Sequence, residues 1–439
     1  MNELELDADV IVIGAGLAGS TASRDLAESG YNVLLLEARD RLGGRTYYRQ
    51  LANTDRKVEF GGTWIDLEKY PCVAREIERY GLRTVESPPA EQFAAILDGT
   101  LIESPFPIPQ EEWLDCERAV FSMVRDSHRI NTAVPLDEQD LSDLDIPVTL
   151  YLENLGVGAK TTDYIRAWCL LISAAPLEQT SMLFLLTFIA GLGNSALRAV
   201  TVLATKFGDG TISFVEALAG TSGVEVIMSA PVSAVTQADD HVRVHANGRD
   251  YRTRAVVLAI PLNCWEDVSF TPPLSETKGT LAQERQPGVG HKLWLRTRGA
   301  RGVVLGVNAA ADQIDLALTE YRDDDGDWVV GFATEHDGLD VTDVEDLERA
   351  LGAMFPEIKV LEVDQHNWID DPYSKGTWMA HRPGWLSESH AELSRTEGRI
   401  IFAGADVATH LPSTIEAAVQ SGGEAAAKVQ SLLQDDVSR

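Results

Sequence analysis

Four apolar residues, Val10-Ile11-Val12-Ile13, run straight into Gly14-Ala15-Gly16-Leu17-Ala18-Gly19, and nothing else in this 439-residue chain constrains its fold as tightly. A helical stretch follows to about Ser29, and a second apolar run, Val33-Leu34-Leu35-Leu36, ends at Glu37. Strand, glycine turn, helix, strand and acid, in that order, form the βαβ dinucleotide fingerprint. Gly14 permits the tight turn, Gly16 lets backbone N–H groups approach a pyrophosphate, and Gly19 lets helix and strand pack closely. Leu17 and Ala18 open the helix, whose positive end faces the phosphates. Glu37 is placed to accept hydrogen bonds from an adenosine ribose. A glycine turn alone also occurs in ordinary α/β domains. Here the strands, helix and acid together point to a bound nucleotide.

Ala38-Arg39-Asp40-Arg41-Leu42-Gly43-Gly44-Arg45-Thr46 continues directly from the second strand, and Glu59-Phe60-Gly61-Gly62-Thr63-Trp64-Ile65 follows. Taken separately, Arg45 reads as a surface arginine and Gly61-Gly62 as a plain turn. In this order they resemble successive flavin segments of the amine oxidase superfamily, which includes monoamine, polyamine and L-amino acid oxidases. The resemblance implies FAD. It places Ala38, Arg39 and Gly44 against the cofactor and has Arg45 neutralise phosphate charge through its bidentate fork. Gly61, Gly62, Thr63 and Trp64 would run beside the isoalloxazine, and Val232 and Trp368 would also touch the cofactor.

The C-terminal third carries a matching signature. Arg399-Ile400-Ile401-Phe402-Ala403-Gly404-Ala405-Asp406 is an apolar strand ending in a small-residue turn and a carboxylate, and a helix begins at Thr414-Ile415. By the resemblance, Gly404 lies against the flavin and Asp406 receives a ribityl hydroxyl. The helix end at Thr414 and Ile415 would face the flavin's pyrimidine oxygen and favour the reduced cofactor. No cysteine lies near this segment in sequence, so the FAD is expected to be noncovalent.

Two further segments concern chemistry. In Gly290-His291-Lys292-Leu293-Trp294-Leu295, strand alternation separates Leu293 and Leu295 from Lys292 and Trp294. A lysine on a strand usually faces solvent; the resemblance instead makes Lys292 the residue that holds a water beside flavin N5. The segment Asn367 to Trp378 resembles the aromatic stretch before the last flavin motif, with Trp378 as one wall of an aromatic cage around the amine, or else a core tryptophan. The family's second cage aromatic is expected at Thr414. Threonine cannot stack, so a one-sided cage is expected, suited to a substrate that brings its own aromatic ring.

The resemblance extends along nearly the whole chain. Arg125 to Ile130, Gln139 to Pro147 and Gly376 to Ala380 are similar to superfamily members that oxidise nicotine derivatives. Leu171, Leu192 and Gly193 depart from that pattern, standing where polar or histidine side chains would line the substrate pocket. The implied reaction is oxidation of a C–N single bond by hydride transfer to flavin N5, with O2 reduced to H2O2. Other amines (nicotine, pseudooxynicotine, polyamines) stay open, as does a quinone or cytochrome acceptor. A non-enzymatic escort role on the same fold is disfavoured by Arg45, Lys292 and the C-terminal motif.

The balance of 37 basic against 68 acidic residues, net −31, disfavours nucleic acid and anionic membranes as partners. The expected partners are a small amine and O2, in a cytoplasmic monomer or homodimer. The four cysteines, Cys72, Cys116, Cys169 and Cys264, form no CxxC pair and read as reduced thiols; no metal site is expected. No targeting segment is expected at Met1 to Asp9, which is acidic and lacks a basic n-region with an apolar core, and uninterrupted Met182 to Leu192 is too short to span a bilayer. The chain ends soon after its last amphipathic helix, so a membrane-anchoring tail like that of mitochondrial monoamine oxidases is not expected.

The expected fold is α/β, a Rossmann-like FAD-binding domain interleaved with an α+β substrate domain. The first takes residues 1–70, 201–285 and 390–439, the second 71–200 and 286–389. After Tyr70 the pattern reads as helical and charged, with helices over much of 110–200. Strands follow at Val224 to Met228, Val242 to His245 and Ala255 to Ile260, with Asn247-Gly248 as a hairpin turn. A strand-rich block spans about 289–334, then a helix near 343–354. Asp323 to Asp327 reads as a hairpin tip rather than a calcium loop.

Overall fold

The computed structural model describes residues 6–201, 203–324, 326–334 and 337–437, so Met1–Glu5 and Asp325 lie outside the described residues. The Val10–Ile13 strand is the middle of a five-stranded sheet ordered Val224–Ile227, Val33–Leu36, Val10–Ile13, Ala255–Leu258 and Ile400–Phe402. Every pairing in it is parallel. Such a sheet is covered on both faces, which is why Val10–Ile13, Val33–Leu36 and Ala255–Leu258 are apolar at every position and fully buried. Val10 and Val12 pack under the Leu17–Glu28 helix and the C-terminal Ile415–Val437 helix. Ile11 and Ile13 pack on the opposite face with Trp265 and Phe402. The two strands expected to end at Met228 and Ile260 stop at Ile227 and Leu258.

A second sheet has seven strands, ordered Lys359–Gln365, His291–Arg298, Gly326–Ala333, Leu316–Asp323, Val304–Asn308, Gln92–Leu97 and Thr100–Ile102. The helical reading after Tyr70 holds for Pro71–Tyr80 and then fails: Thr84–Glu86, Gln92–Leu97 and Thr100–Ile102 are strands. Gln92–Leu97 pairs in parallel with the distant Val304–Asn308 and antiparallel with Thr100–Ile102, across an Asp98-Gly99 turn whose two residues both have positive φ. Lys359–Gln365 was likewise not anticipated as a strand. The expected helices between 110 and 200, and the Val344–Met354 helix, are present.

Alternation in the second sheet sorts side chains as expected. Leu293 and Leu295 enter the cluster beneath the Val344–Met354 helix, whereas Trp294 joins the large helical core. The neighbouring Gly326–Ala333 strand repeats the split, Val329 and Ala333 going one way and Trp328, Val330 and Phe332 the other. Antiparallel register places Phe332 directly across from Lys292. Ser181 caps the buried Met182–Gly191 helix, its side chain accepting from the Phe184 amide. Asn247 and Gly248 form the expected hairpin turn, both with positive φ. Among the described residues no helix is long and apolar enough to cross a membrane.

Candidate active site

A cavity of about 650 Å3 reaches from the start of the Leu17–Glu28 helix to the start of the Ile415–Val437 helix. Gly14 turns the chain with φ of +101°. A Cβ on Gly19 would stand 1.9 Å from the Gly14 carbonyl oxygen, so helix and turn touch only because Gly19 has no side chain. Gly16 occupies the helix N-cap without a side-chain acceptor, leaving the first-turn amides free at the cavity wall beside Gly14, Leu17 and Ala18. Free amides at a positive helix end suit a pyrophosphate. Glu37 locks the turn: Oε2 accepts from the Ala15 amide at 2.8 Å and Oε1 from the Arg39 amide at 2.9 Å. Gly19→Ala is therefore expected to abolish flavin retention, checked by the absorbance of the purified protein against its circular dichroism; a yellow, folded variant would contradict the close approach.

Arg39 and Arg45 enter from the loop after the second strand, and each is held by a distant acid. Arg39 Nη2 donates to Asp371 Oδ1 at 2.6 Å and to Ser374 Oγ at 2.9 Å. Burial pushes the Asp371 carboxyl up, but the His366 hydrogen bond and the Arg39 charge outweigh it and hold it at about 2. Arg45 Nη2 donates to Asp406 Oδ1 at 2.6 Å and Nη1 to the Thr377 carbonyl at 3.2 Å. Asp406 Oδ2 accepts from the Leu262 amide at 3.1 Å.

Of the residues assigned to the cofactor, Ala38, Gly44, Gly61, Gly62, Thr63, Trp64, Val232, Trp368, Gly404 and Ile415 line this cavity together with those named above. Gly19 and Asp406 do not. Gly19 acts behind the wall, by close packing, and Asp406 faces Arg45 and Leu262.

Lys292, Trp378 and Thr414 also line the cavity. Lys292 is buried, and its Nζ donates to Thr63 Oγ1 at 2.5 Å and to the Gly61 carbonyl at 3.1 Å. The ammonium lies 4.9 Å from the Trp64 ring centroid. Burial lowers its pKa to about 7, with Lys206 adding to the fall and Glu59 opposing it. Trp378 is half-buried, its Nε1 donating to the Ile172 carbonyl at 2.8 Å. Its ring meets Phe332 edge-on at 6.3 Å, and Phe332 meets Trp64 at 6.1 Å, giving a continuous aromatic wall beside Lys292.

Thr414 has a role its residue type left unseen. Its hydroxyl accepts from the Ala417 amide at 3.1 Å, capping the C-terminal helix, and donates to the Leu411 carbonyl at 2.7 Å. The Tyr70 hydroxyl faces it, and Tyr70 lines the cavity. A tyrosine from another part of the chain thus stands beside the position where the second cage aromatic was expected. Tyr70 is delivered there because the Glu416 carboxylate accepts from the Cys72 and Val73 amides, each at 2.9 Å, and docks the Pro71–Tyr80 helix on the C-terminal helix.

Sequence reasoning missed Tyr70 and Phe332; only strand register could have found Phe332, and nothing local marks Tyr70. Of Leu171, Leu192 and Gly193, Leu171 lines the cavity and the other two do not. Among the cysteines, Cys264 lines it, with burial pushing its thiol up to about 12. Cys72 lies beside Glu416 and is pushed up to about 12 by burial and that carboxylate.

The family model described as flavin containing amine oxidoreductase matches residues 17–430. The chain is 34% identical over 416 residues to (S)-6-hydroxynicotine oxidase of Paenarthrobacter nicotinovorans, covering 94% of this chain and 97% of that protein. It is 32% identical to nicotine dehydrogenase of Pseudomonas putida, covering 97% and 89%. In structure it resembles cyclohexylamine oxidase from Brevibacterium oxydans, with a TM-score of 0.85 at 20% identity over 98% of this chain and 100% of that one.

Proposed function

The chain belongs to the flavin-containing amine oxidoreductase family and is an FAD-dependent enzyme acting on amines, and on that premise we propose that its substrate is a cyclic amine joined to an aromatic ring. The favoured substrate is (S)-6-hydroxynicotine, converted to 6-hydroxypseudooxynicotine. What carries this reading is the chamber beside Lys292, walled by Trp64, Phe332 and Trp378 and closed by Leu171 and Phe184. Such walls take a flat ring and exclude water, and similarity to (S)-6-hydroxynicotine oxidase over nearly the whole chain supports the choice.

The residues present fit FAD: an uncapped helix start for the pyrophosphate, Glu37 beyond it, and a second helix start at Thr414-Ile415. Once bound, FAD supplies the acceptor for the hydride removed from the carbon beside the amine nitrogen. The protein's own work is positioning and proton handling. Trp378 and Phe332 hold the ring, and orientation of this kind supplies much of the rate enhancement. An alkylamine must lose its proton before its lone pair can assist, and neutral Lys292 Nζ is the base within the chamber. The iminium so formed takes up water and opens to the ketone. On the same reading, residues 1–70, 201–285 and 390–439 bind FAD, and 71–200 and 286–389 bind substrate.

The test is a panel of nicotine derivatives, polyamines and amino acids with peroxide detection. Turnover confined to polyamines or amino acids would overturn the substrate assignment. A second reading, electron transfer to a quinone or cytochrome, is favoured by the similarity to a nicotine dehydrogenase. Flavin reduction by the amine without peroxide formation would select it. Noncovalent FAD is expected, because the high thiol pKa values of Cys264 and Cys72 disfavour thiolate attack. Acid precipitation should leave the yellow colour in the supernatant; colour in the pellet would contradict this.

A further inference from the structure

Lys292, Thr63 and Trp64 line the aromatic cavity and also a second one of about 670 Å3. The two differ in character. The second is walled by charged and phenolic groups, with Glu59, Lys206 and Glu320 buried in its floor and Lys57, Arg83 and Glu86 exposed at its rim. Lys206 pairs with Glu320, whose other oxygen accepts from Ser87 Oγ at 2.8 Å. Trp64 Nε1 in turn donates to Ser87 Oγ at 3.2 Å, so this polar network runs up to the residue that separates the two cavities.

Glu59 is the unexplained member. It is 6% exposed, and one carboxylate oxygen accepts from the Thr211 amide, capping the Thr211–Ala219 helix. The other, Oε2, is buried with no hydrogen-bond partner. A buried carboxylate oxygen left so is costly unless it carries a proton or meets water. Burial raises the Glu59 carboxyl, while the Thr211 amide, the Lys292 charge, the Thr211 hydroxyl and the Tyr47 amide pull it down. Other groups face this floor. Burial lowers Lys206 to about 8, with Arg56 adding to the effect. Tyr321 is pushed up to about 12, chiefly by burial, and Tyr48 is raised, again chiefly by burial.

The reaction sets a proton count. A protonated amine and O2 give an iminium cation and H2O2: the amine gives up one N–H proton and the hydride on the neighbouring carbon, and both end on the oxygen. The N–H proton leaves before the hydride does, and one proton must reach the oxygen with the two electrons. In the aromatic chamber, Lys292 is the ionisable side chain set among the Trp64, Phe332 and Trp378 walls to carry that traffic. Resting on the amine-oxidation reading, we propose that the second cavity is a hydrated proton channel in which Glu59 passes protons between outside water and Lys292. Glu59 touches no substrate; it acts through Lys292, placing the proton.

Two variants test this. Glu59→Gln keeps the volume and an oxygen for the Thr211 amide but cannot carry a proton. Val85→Phe fills the channel from a half-buried lining position without altering a charge. Flavin-loaded protein is reduced with dithionite and mixed with O2 in H2O and in D2O, so a wrong amine assignment leaves the experiment readable. Both variants should reoxidise about 10-fold more slowly, with a larger D2O effect, somewhat less than loss of a direct acid–base group. Separately, acetylation of Lys292 by acetic anhydride, read by mass spectrometry, should also slow in Val85→Phe. Unchanged acetylation and reoxidation in Val85→Phe would overturn the channel. Slowing in Glu59→Gln without a changed D2O effect would reduce Glu59 to a helix cap.

Discussion

Lys292→Met slows amine oxidation or the return of electrons to O2 by roughly 10²-fold, the range of a positioned acid–base group, with FAD content near that of the parent protein. Methionine keeps most of the stem's volume while removing the charge and the bonds to Thr63 and Gly61. The pH dependence makes the expectation sharper. With the Lys292 pKa lowered to about 7 by burial, the side chain is mostly charged below that pH and mostly neutral above it. Neutral lysine accepts the substrate's proton, so flavin reduction should rise as pH increases through about 7. Charged lysine donates towards oxygen, so reoxidation should fall through the same range. Both limbs should vanish in Lys292→Met. Rapid-mixing traces of each half-reaction across this range decide the matter. If neither changes, Lys292 is a buried structural cation.

From the residues themselves only the parts with local or periodic jobs were legible; Arg45, Trp368, Trp378 and the role of Lys292 came from the family resemblance. Gly14, Gly19 and Glu37 act on one another within a single βαβ unit, so spacing alone reveals them. Lys292 and Trp294 could be separated from Leu293 and Leu295 because strand alternation is strict. Phe332 required more: it meets Lys292 through the register of two strands joined by a long excursion. Tyr70 was beyond reach, because its position depends on a carboxylate at Glu416 that caps another helix from the far end of the chain. The Gln92–Leu97 strand was missed although it was locally legible: its parallel partner is remote, but Asp98-Gly99 turns it directly into Thr100–Ile102. Thr414 is the instructive case. Residue type correctly excluded stacking there but could not show that the hydroxyl caps a helix, or that a tyrosine stands beside it.

That tyrosine changes what the aromatic walls should do when altered. Trp378→Ala is expected to lower kcat/KM by about 10²-fold. The lost edge and stacking contacts are worth about 0.5–1.5 kcal/mol beyond area burial, and the displaced ring would carry the reacting carbon out of alignment. Trp378→Phe should recover much of the loss, since it keeps a π-face against Phe332. Thr414→Ala should behave differently: removal of the cap on the Ile415–Val437 helix costs about 1 kcal/mol of stability, visible as a lower Tm, with kcat/KM close to the parent. Thr414→Tyr should lose the same cap and also crowd Tyr70, so rebuilding a second wall at this position is not expected to favour small alkylamines without a companion Tyr70→Ala. Steady-state kinetics on the ring-bearing substrate and on a simple alkylamine, together with thermal melts, separate these outcomes. Parent-like kinetics in Trp378→Ala would make Trp378 a packing residue and leave Phe332 and Tyr70 as the walls that hold the ring.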